Sequence, residues 1–250
     1  MSKPLIIGNW KAYVSSLKEA KKLFKDVEKE LPRVMDADVV VAPPHPFLYP
    51  LKTSYSGKRI AFGAQDAFFE QGAHTGEVTA GMVKDSGARF VIVGHAERRA
   101  QGETDLQVAK KVGAVLDAKM TPIVCIGEQS RDREGHYLKE LETSIQESLS
   151  LVEASSLKKI VLAYEPVWAI GAPLPPPARS IRETIIFIRK TLALRFDRDD
   201  ALRVRILYGG AVSEEVVEEL VSGSGANGFL LGRASIDPKM FADIVRAWNR

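Results

Sequence analysis

The chain has 250 residues, of which 45% are apolar and 27% charged, with a net charge of +3. This composition excludes a largely disordered chain, and the mixing of Lys and Arg with Asp and Glu leaves no basic tract for a nucleic-acid partner. A single cysteine, Cys125, excludes an intrachain disulfide, and with only four scattered histidines it excludes a zinc site of the usual spacing.

No apolar run approaches the ~20 residues needed to cross a bilayer, so no membrane partner is expected. Met1-Ser2-Lys3-Pro4 leads directly into an apolar strand-like run rather than a secretory leader. The expected compartment is a reducing cytoplasm.

In chain order, Leu5–Trp10 predicts a strand, and Leu17–Leu31 predicts a helix with Leu17, Ala20, Leu23, Phe24, Val27 and Leu31 on one face. Strands follow at Val39–Pro43, Ile60–Gln65 and Phe90–His95, joined by connections with shorter helical stretches. The pattern then alternates helix and strand: Asp105–Ala118, Pro122–Glu128, Tyr137–Val152, Ile160–Glu165, Ile181–Phe196, Val204–Gly209, Glu214–Val221, Gly228–Arg233 and Pro238–Trp248. Most of the strand runs are apolar without strict alternation, which fits strands buried on both faces of a parallel sheet. No Gly/Ser-rich linker interrupts them. Residues 1–250 are therefore expected to form one α/β domain, a closed (β/α)8 barrel. An open doubly wound sheet is the competing architecture. Its dinucleotide form needs a Gly-x-Gly-x-x-Gly turn after the first strand, where the chain reads Gly8-Asn9-Trp10-Lys11-Ala12-Tyr13.

A barrel assembles its active site at the C-terminal ends of its strands. The polar residues found there are Asn9, Lys11, His45, Gln65, His95, Glu128, Glu165, Tyr208 and Arg233. Glu165 beside apolar walls suits a general base, although an ion-paired strand-end carboxylate is an equally plain reading. His95 at the start of a short helix suits a neutral imidazole that donates to a carbonyl oxygen; alone, it reads as a structural histidine. Lys11 offers positive charge to an anionic substrate, against the plainer reading of a solvated lysine. Asn9 either holds a carbonyl or caps a turn, and Glu97 reads best as the ion-pair partner of Lys11 or Arg98. Together they suit proton abstraction next to a carbonyl, and the sequence carries no metal-ligand or dinucleotide motif beside them, so no cofactor is expected. Turns at Gly171, Gly209-Gly210 and Gly232 add backbone N–H groups of the kind that bind phosphate.

These residues resemble the triosephosphate isomerase family over essentially the whole chain. The resemblance rests on Gly8-Asn9-Trp10-Lys11, Gly72-Ala73-His74-Thr75-Gly76-Glu77, Val93-Gly94-His95-Ala96-Glu97-Arg98-Arg99, Ala163-Tyr164-Glu165-Pro166-Val167-Trp168-Ala169-Ile170-Gly171, Tyr208-Gly209-Gly210 and Gly228-Phe229-Leu230-Leu231-Gly232. It implies a TIM barrel that interconverts dihydroxyacetone phosphate and glyceraldehyde 3-phosphate without a cofactor or metal. Glu165 would move the proton, His95 would polarise the carbonyl, Asn9 and Lys11 would orient substrate and stabilise charge, and Glu97 would support this arrangement. Gly171, Ala211, Gly232 and Arg233 would grip the phosphate, while Ile170 and Leu230 would cover the carboxylate. The resemblance also implies a homodimer, with Gly72–Glu77 entering the partner subunit.

The chain departs from the family pattern at several positions. Ala96 and Ala211 stand where the family has Ser, Arg233 where it has Gly, and Tyr13 where it has Asn. The stretch Arg99–Glu103 is one residue shorter, and His74 alters the contact loop. The lid after Gly171 reads Ala172-Pro173-Leu174-Pro175-Pro176-Pro177-Ala178 instead of a Thr-Gly-Lys-Thr-Ala type. The altered phosphate grip and lid define the alternative expectation: a catalytically impaired barrel that binds a phosphorylated or carboxylated metabolite.

Overall fold

The computed structural model describes residues 3–132, 134–172 and 174–249. Eight parallel strands close into a barrel in sequence order: β1 (Leu5–Asn9), β2 (Asp38–Ala42), β3 (Ile60–Ala64), β4 (Phe90–Val93), β5 (Thr121–Ile126), β6 (Val161–Tyr164), β7 (Arg205–Tyr208) and β8 (Gly228–Leu231). β1 pairs with both β2 and β8, so the sheet has no free edge. The expected (β/α)8 barrel is the observed fold, and the open sheet is not.

Closure explains the weak alternation of the strands. One set of side chains, including Leu5, Ile7, Val40, Ile92, Ile123, Val161, Leu207 and Leu230, fills the barrel interior. The other set, including Ile6, Val41, Val93, Leu162 and Phe229, packs outward against the surrounding helices. Both faces are dry, so both must be apolar. The helix Leu17–Glu30 buries Ala20, Phe24 and Val27 in this way, and Ser16 starts it by accepting the Glu19 N–H. Among the described residues no helix is long and apolar enough to cross a membrane.

Every strand ends earlier than its apolar run. Trp10, Gln65, His95, Glu128, Glu165, Gly209 and Arg233 all lie beyond the strands, in the loops at one mouth. Their backbones leave the ladder gradually. The N–H groups of Trp10, Glu165 and Gly209 still donate to Ala42, Ile126 and Tyr164 carbonyls, and only then does the chain turn. The expected helix over Tyr137–Val152 is instead His136–Ser148, followed by a 3-10 turn at Ala154–Lys159. An additional helix, Arg198–Arg203, is capped by Asp197, whose carboxylate accepts the N–H groups of Asp199 and Asp200. The helix expected from Ile181 begins at Ala178, directly after Pro177. Pro173 of the lid lies outside the described residues.

Candidate active site

Asn9 ends β1, and its buried side chain shapes the turn that follows. Its Oδ1 accepts the Lys11 N–H at 3.0 Å. Lys11 adopts a left-handed conformation, with φ of 46°. Gln65 holds that turn from β3, donating to the carbonyls of Lys11 (2.9 Å) and Ala42 (3.0 Å). The Lys11 Nζ is thereby aimed at Glu97 Oε1, 2.6 Å away.

Gly94, with φ of 68°, turns the chain from β4 into the short helix Ala96–Arg99. His95 caps this helix through Nδ1, which accepts the Glu97 N–H at 3.2 Å. A nitrogen that accepts a hydrogen bond carries no proton, so the bond selects the neutral tautomer with hydrogen on Nε2. Nε2 lies 3.4 Å from Glu165 Oε1. The other carboxylate oxygen of Glu165 accepts the Ala96 N–H at 3.3 Å. Because this contact is to backbone, the absence of a hydroxyl at Ala96 leaves it in place.

Glu165 is 2% exposed. It follows β6 and is flanked by glycines after β5 and β7. A Cβ on Gly209 would stand 2.6 Å from Glu165 Cγ, and one on Gly127 would stand 1.8 Å from the Glu165 carbonyl oxygen. In the sequence Gly209 reads as part of a phosphate turn, and neither glycine has a role beside the base. Their shared property, side chains that would intrude on the base, is visible only across neighbouring strands.

A cavity of about 520 Å³ opens beside these groups, lined by Lys11, Glu97, Ile170, Gly171, Ala211, Gly232 and Arg233. The structure thus gathers all four residues expected to bind phosphate, Gly171, Ala211, Gly232 and Arg233, at one opening. Asn9, His95 and Glu165 are buried at the same mouth but do not form its wall. Leu230 faces the barrel interior, opposite Ile7 in the sheet register, and also does not line the cavity. Arg233 is exposed and begins a 3-10 turn, Arg233–Ile236. Asp237, the other acid on the wall, is occupied in capping Pro238–Arg246 by accepting the Lys239 and Met240 N–H groups.

Three other polar residues at the strand ends serve the framework. Gln65 fixes the Lys11 turn, and His45 Nε2 lies 2.8 Å from the Asp66 carbonyl. Glu128 is buried beside the 3-10 turn Val167–Ala169, where its Oε1 accepts from Arg131 Nε (2.8 Å), Tyr164 OH (2.9 Å) and Trp168 Nε1 (3.0 Å). Arg131, missed in the sequence because it lies outside any motif, also donates to Tyr164 OH and Thr184 Oγ1. Burial pushes the Tyr208 phenol up, and its hydroxyl has no partner among the described residues. The group of potential metal ligands found among the described residues, Asp132, Glu134 and His136, is largely exposed, and Asp132 already accepts the His136 and Tyr137 N–H groups.

A buried carboxylate, a neutral imidazole and a lysine at the C-terminal mouth of a (β/α)8 barrel define an enzyme built to move a proton beside a carbonyl. Residues 4–248 match the family model for triosephosphate isomerase. The chain is 42% identical to the triosephosphate isomerase of Moorella thermoacetica, with 98% of each chain covered. It is 40% identical to that of Carboxydothermus hydrogenoformans and 41% identical to that of Thermoanaerobacter pseudethanolicus, covering 98% of this chain and 99% of each relative. The chain belongs to the triosephosphate isomerase family. A match of this extent favours the working isomerase over the impaired binding relative.

Proposed function

We propose that the chain interconverts dihydroxyacetone phosphate and glyceraldehyde 3-phosphate through an enediolate, using the residues just described. Glu165 takes the proton from the carbon next to the carbonyl. The His95 Nε2–H donates to the carbonyl oxygen, and Lys11 stabilises the charge that develops there. Asn9 and Glu97 hold Lys11 in position. His95 then moves a proton between the two oxygens, and Glu165 returns its proton to the neighbouring carbon, so atoms and charge balance with no further reagent. The phosphate is taken by backbone N–H groups at Gly171, Ala211 and Gly232, assisted by the Arg233 guanidinium. Ile170 and Leu230 cover the carboxylate.

The observation that carries this reading is the Glu97 N–H bonded to His95 Nδ1, which leaves Nε2, 3.4 Å from the base, as the nitrogen that carries the proton. We further propose that residues 1–250 work as one domain in the cytoplasm, as a homodimer and with neither nucleic acid nor membrane as partner. Gly72–Glu77 would enter the partner subunit. Residues 72–77 are exposed throughout, and Tyr13, Tyr49 and Met82 are large exposed apolar side chains available to an interface.

A coupled assay with glyceraldehyde 3-phosphate tests the chemistry. Glu165→Gln is expected to lower kcat by about 10²–10⁴-fold while leaving the far-UV circular dichroism unchanged. Undiminished turnover in that variant would remove Glu165 from the reaction.

A further inference from the structure

The barrel has a second opening, at the N-terminal ends of its strands, that the chemistry above does not use. It is a cavity of about 370 Å³ whose lining includes Val40, Ala61 and Phe90 of β2, β3 and β4. Val40 belongs to the barrel interior, and Ala61 and Phe90 pack against it, so this part of the lining is apolar. The rest carries five cations, Lys3, Arg33, Lys58, Arg59 and Arg89, against one acid, Asp38.

Cations at this end have a structural use. The helices run antiparallel to the strands, so their C-terminal carbonyls gather here with partial negative charge. Arg59 answers that need, donating to the carbonyls of Glu28, Leu31 and Pro32 at 3.0–3.2 Å and approaching the Glu28 carboxylate at 3.9 Å. Lys3 donates to the Met35 carbonyl. Asp38 is paired with Arg205 at 3.4 Å. Arg33, Lys58 and Arg89 differ from these residues. All three are exposed, and their side chains make no hydrogen bond or ion pair among the described residues.

Three cations around one cavity repel one another, and a multiply charged anion placed between them relieves that repulsion. Two are guanidinium groups, which bind phosphate oxygens in a bidentate fork. We propose that this cavity is a binding site for a compact polyphosphate anion, held by Arg33, Lys58 and Arg89 beside the apolar patch. A single phosphate group satisfies one such fork, whereas a chain of phosphates spans several. The packed barrel interior separates this site from Glu165 and His95, so occupancy does not depend on isomerisation.

The test is a calorimetric titration of the full chain with inorganic tripolyphosphate at low salt, repeated with Arg33→Gln/Lys58→Gln/Arg89→Gln. The expected result is saturable binding that weakens with added salt and falls roughly tenfold or more in the triple variant, with kcat unchanged. Arg89→Gln alone is expected to weaken binding about threefold, which keeps the test available should the triple variant fold poorly. Absence of binding, or equal affinity in the substituted proteins, overturns the proposal. So does binding that survives these substitutions but is lost in Arg233→Gly, since that places the anion at the opposite mouth.

Discussion

Glu165 owes its position to two neighbours that lack side chains. Gly209 leaves the space that the Glu165 Cγ occupies, and Gly127 leaves the space for its carbonyl oxygen. Gly209→Ala is therefore expected to push the carboxylate away from His95. Small misplacements of a reacting group cost rate steeply, and kcat is expected to fall about 10²-fold with little change in unfolding midpoint. Steady-state kinetics alongside urea denaturation separates the two effects. Arg233 poses a different question, because the phosphate grip proposed here relies mainly on backbone N–H groups. Arg233→Gly is expected to weaken competitive inhibition by inorganic phosphate several-fold and to flatten its salt dependence. Identical inhibition at low and high salt would show that the guanidinium takes no part. The types of these groups were legible in the sequence, because a carboxylate, an imidazole and a lysine each sat just past an apolar run. The glycines beside Glu165 were not legible as its support, because that relation runs between strands about 40 residues apart.

At the scale of elements, Glu128 ties the 3-10 turn Val167–Ala169, where the expected lid begins, to the barrel. One buried carboxylate oxygen collects donors from the loop after β5, from the end of β6 and from the 3-10 turn Val167–Ala169. The Val167 N–H adds a bond to the Glu128 carbonyl. Glu128→Gln removes the charge and offers an NH₂ to groups that are themselves donors. Stability is expected to drop by about 2–3 kcal/mol, and kcat to fall as the lid entry loosens. Guanidinium unfolding and turnover measurements check each part, and an unchanged kcat would uncouple the hub from the lid. The strand interiors were readable from their apolar runs, but the strand ends were not, since an apolar residue in a loop looks like one in a strand. Arg198–Arg203 escaped because six residues hold too few apolar positions to show a period, although Asp197 carried the capping signal.

For the molecule as a whole, the parallel barrel was legible because eight apolar runs recur with helices between them. The ion cluster outside the barrel was not, because its members are scattered along the chain. Lys111 is 3% exposed and pairs with Asp66 at 2.7 Å and with Glu103; Arg98 lies 2.9 Å from Asp66. Burial raises the Asp66 carboxyl above its ordinary 3.8, and Lys111 opposes that rise. A folded value above the unfolded one means that the native state holds the proton more tightly. This contribution favours folding below 3.8 and is lost as pH rises through the raised value. Lys111→Met leaves Asp66 and Glu103 with the half-exposed Arg98 as their one shared cation among the described residues and raises Asp66 further. The variant is expected to lose about 3–5 kcal/mol at neutral pH, with the deficit shrinking as the pH is lowered toward 4. Urea unfolding at several pH values measures this, and a deficit that grows on acidification would reverse the sign argued here.

The packed interior of the barrel has one more consequence. Leu5, Ile7, Val40, Ile92, Ile123, Val161, Leu207 and Leu230 leave no passage between the two ends, so the molecule is a plug with insulated faces rather than a pore. Substitutions at one face can accumulate without being felt at the other. A ligand bound at the basic end would then raise the melting temperature by mass action alone, as a stabiliser that leaves turnover untouched.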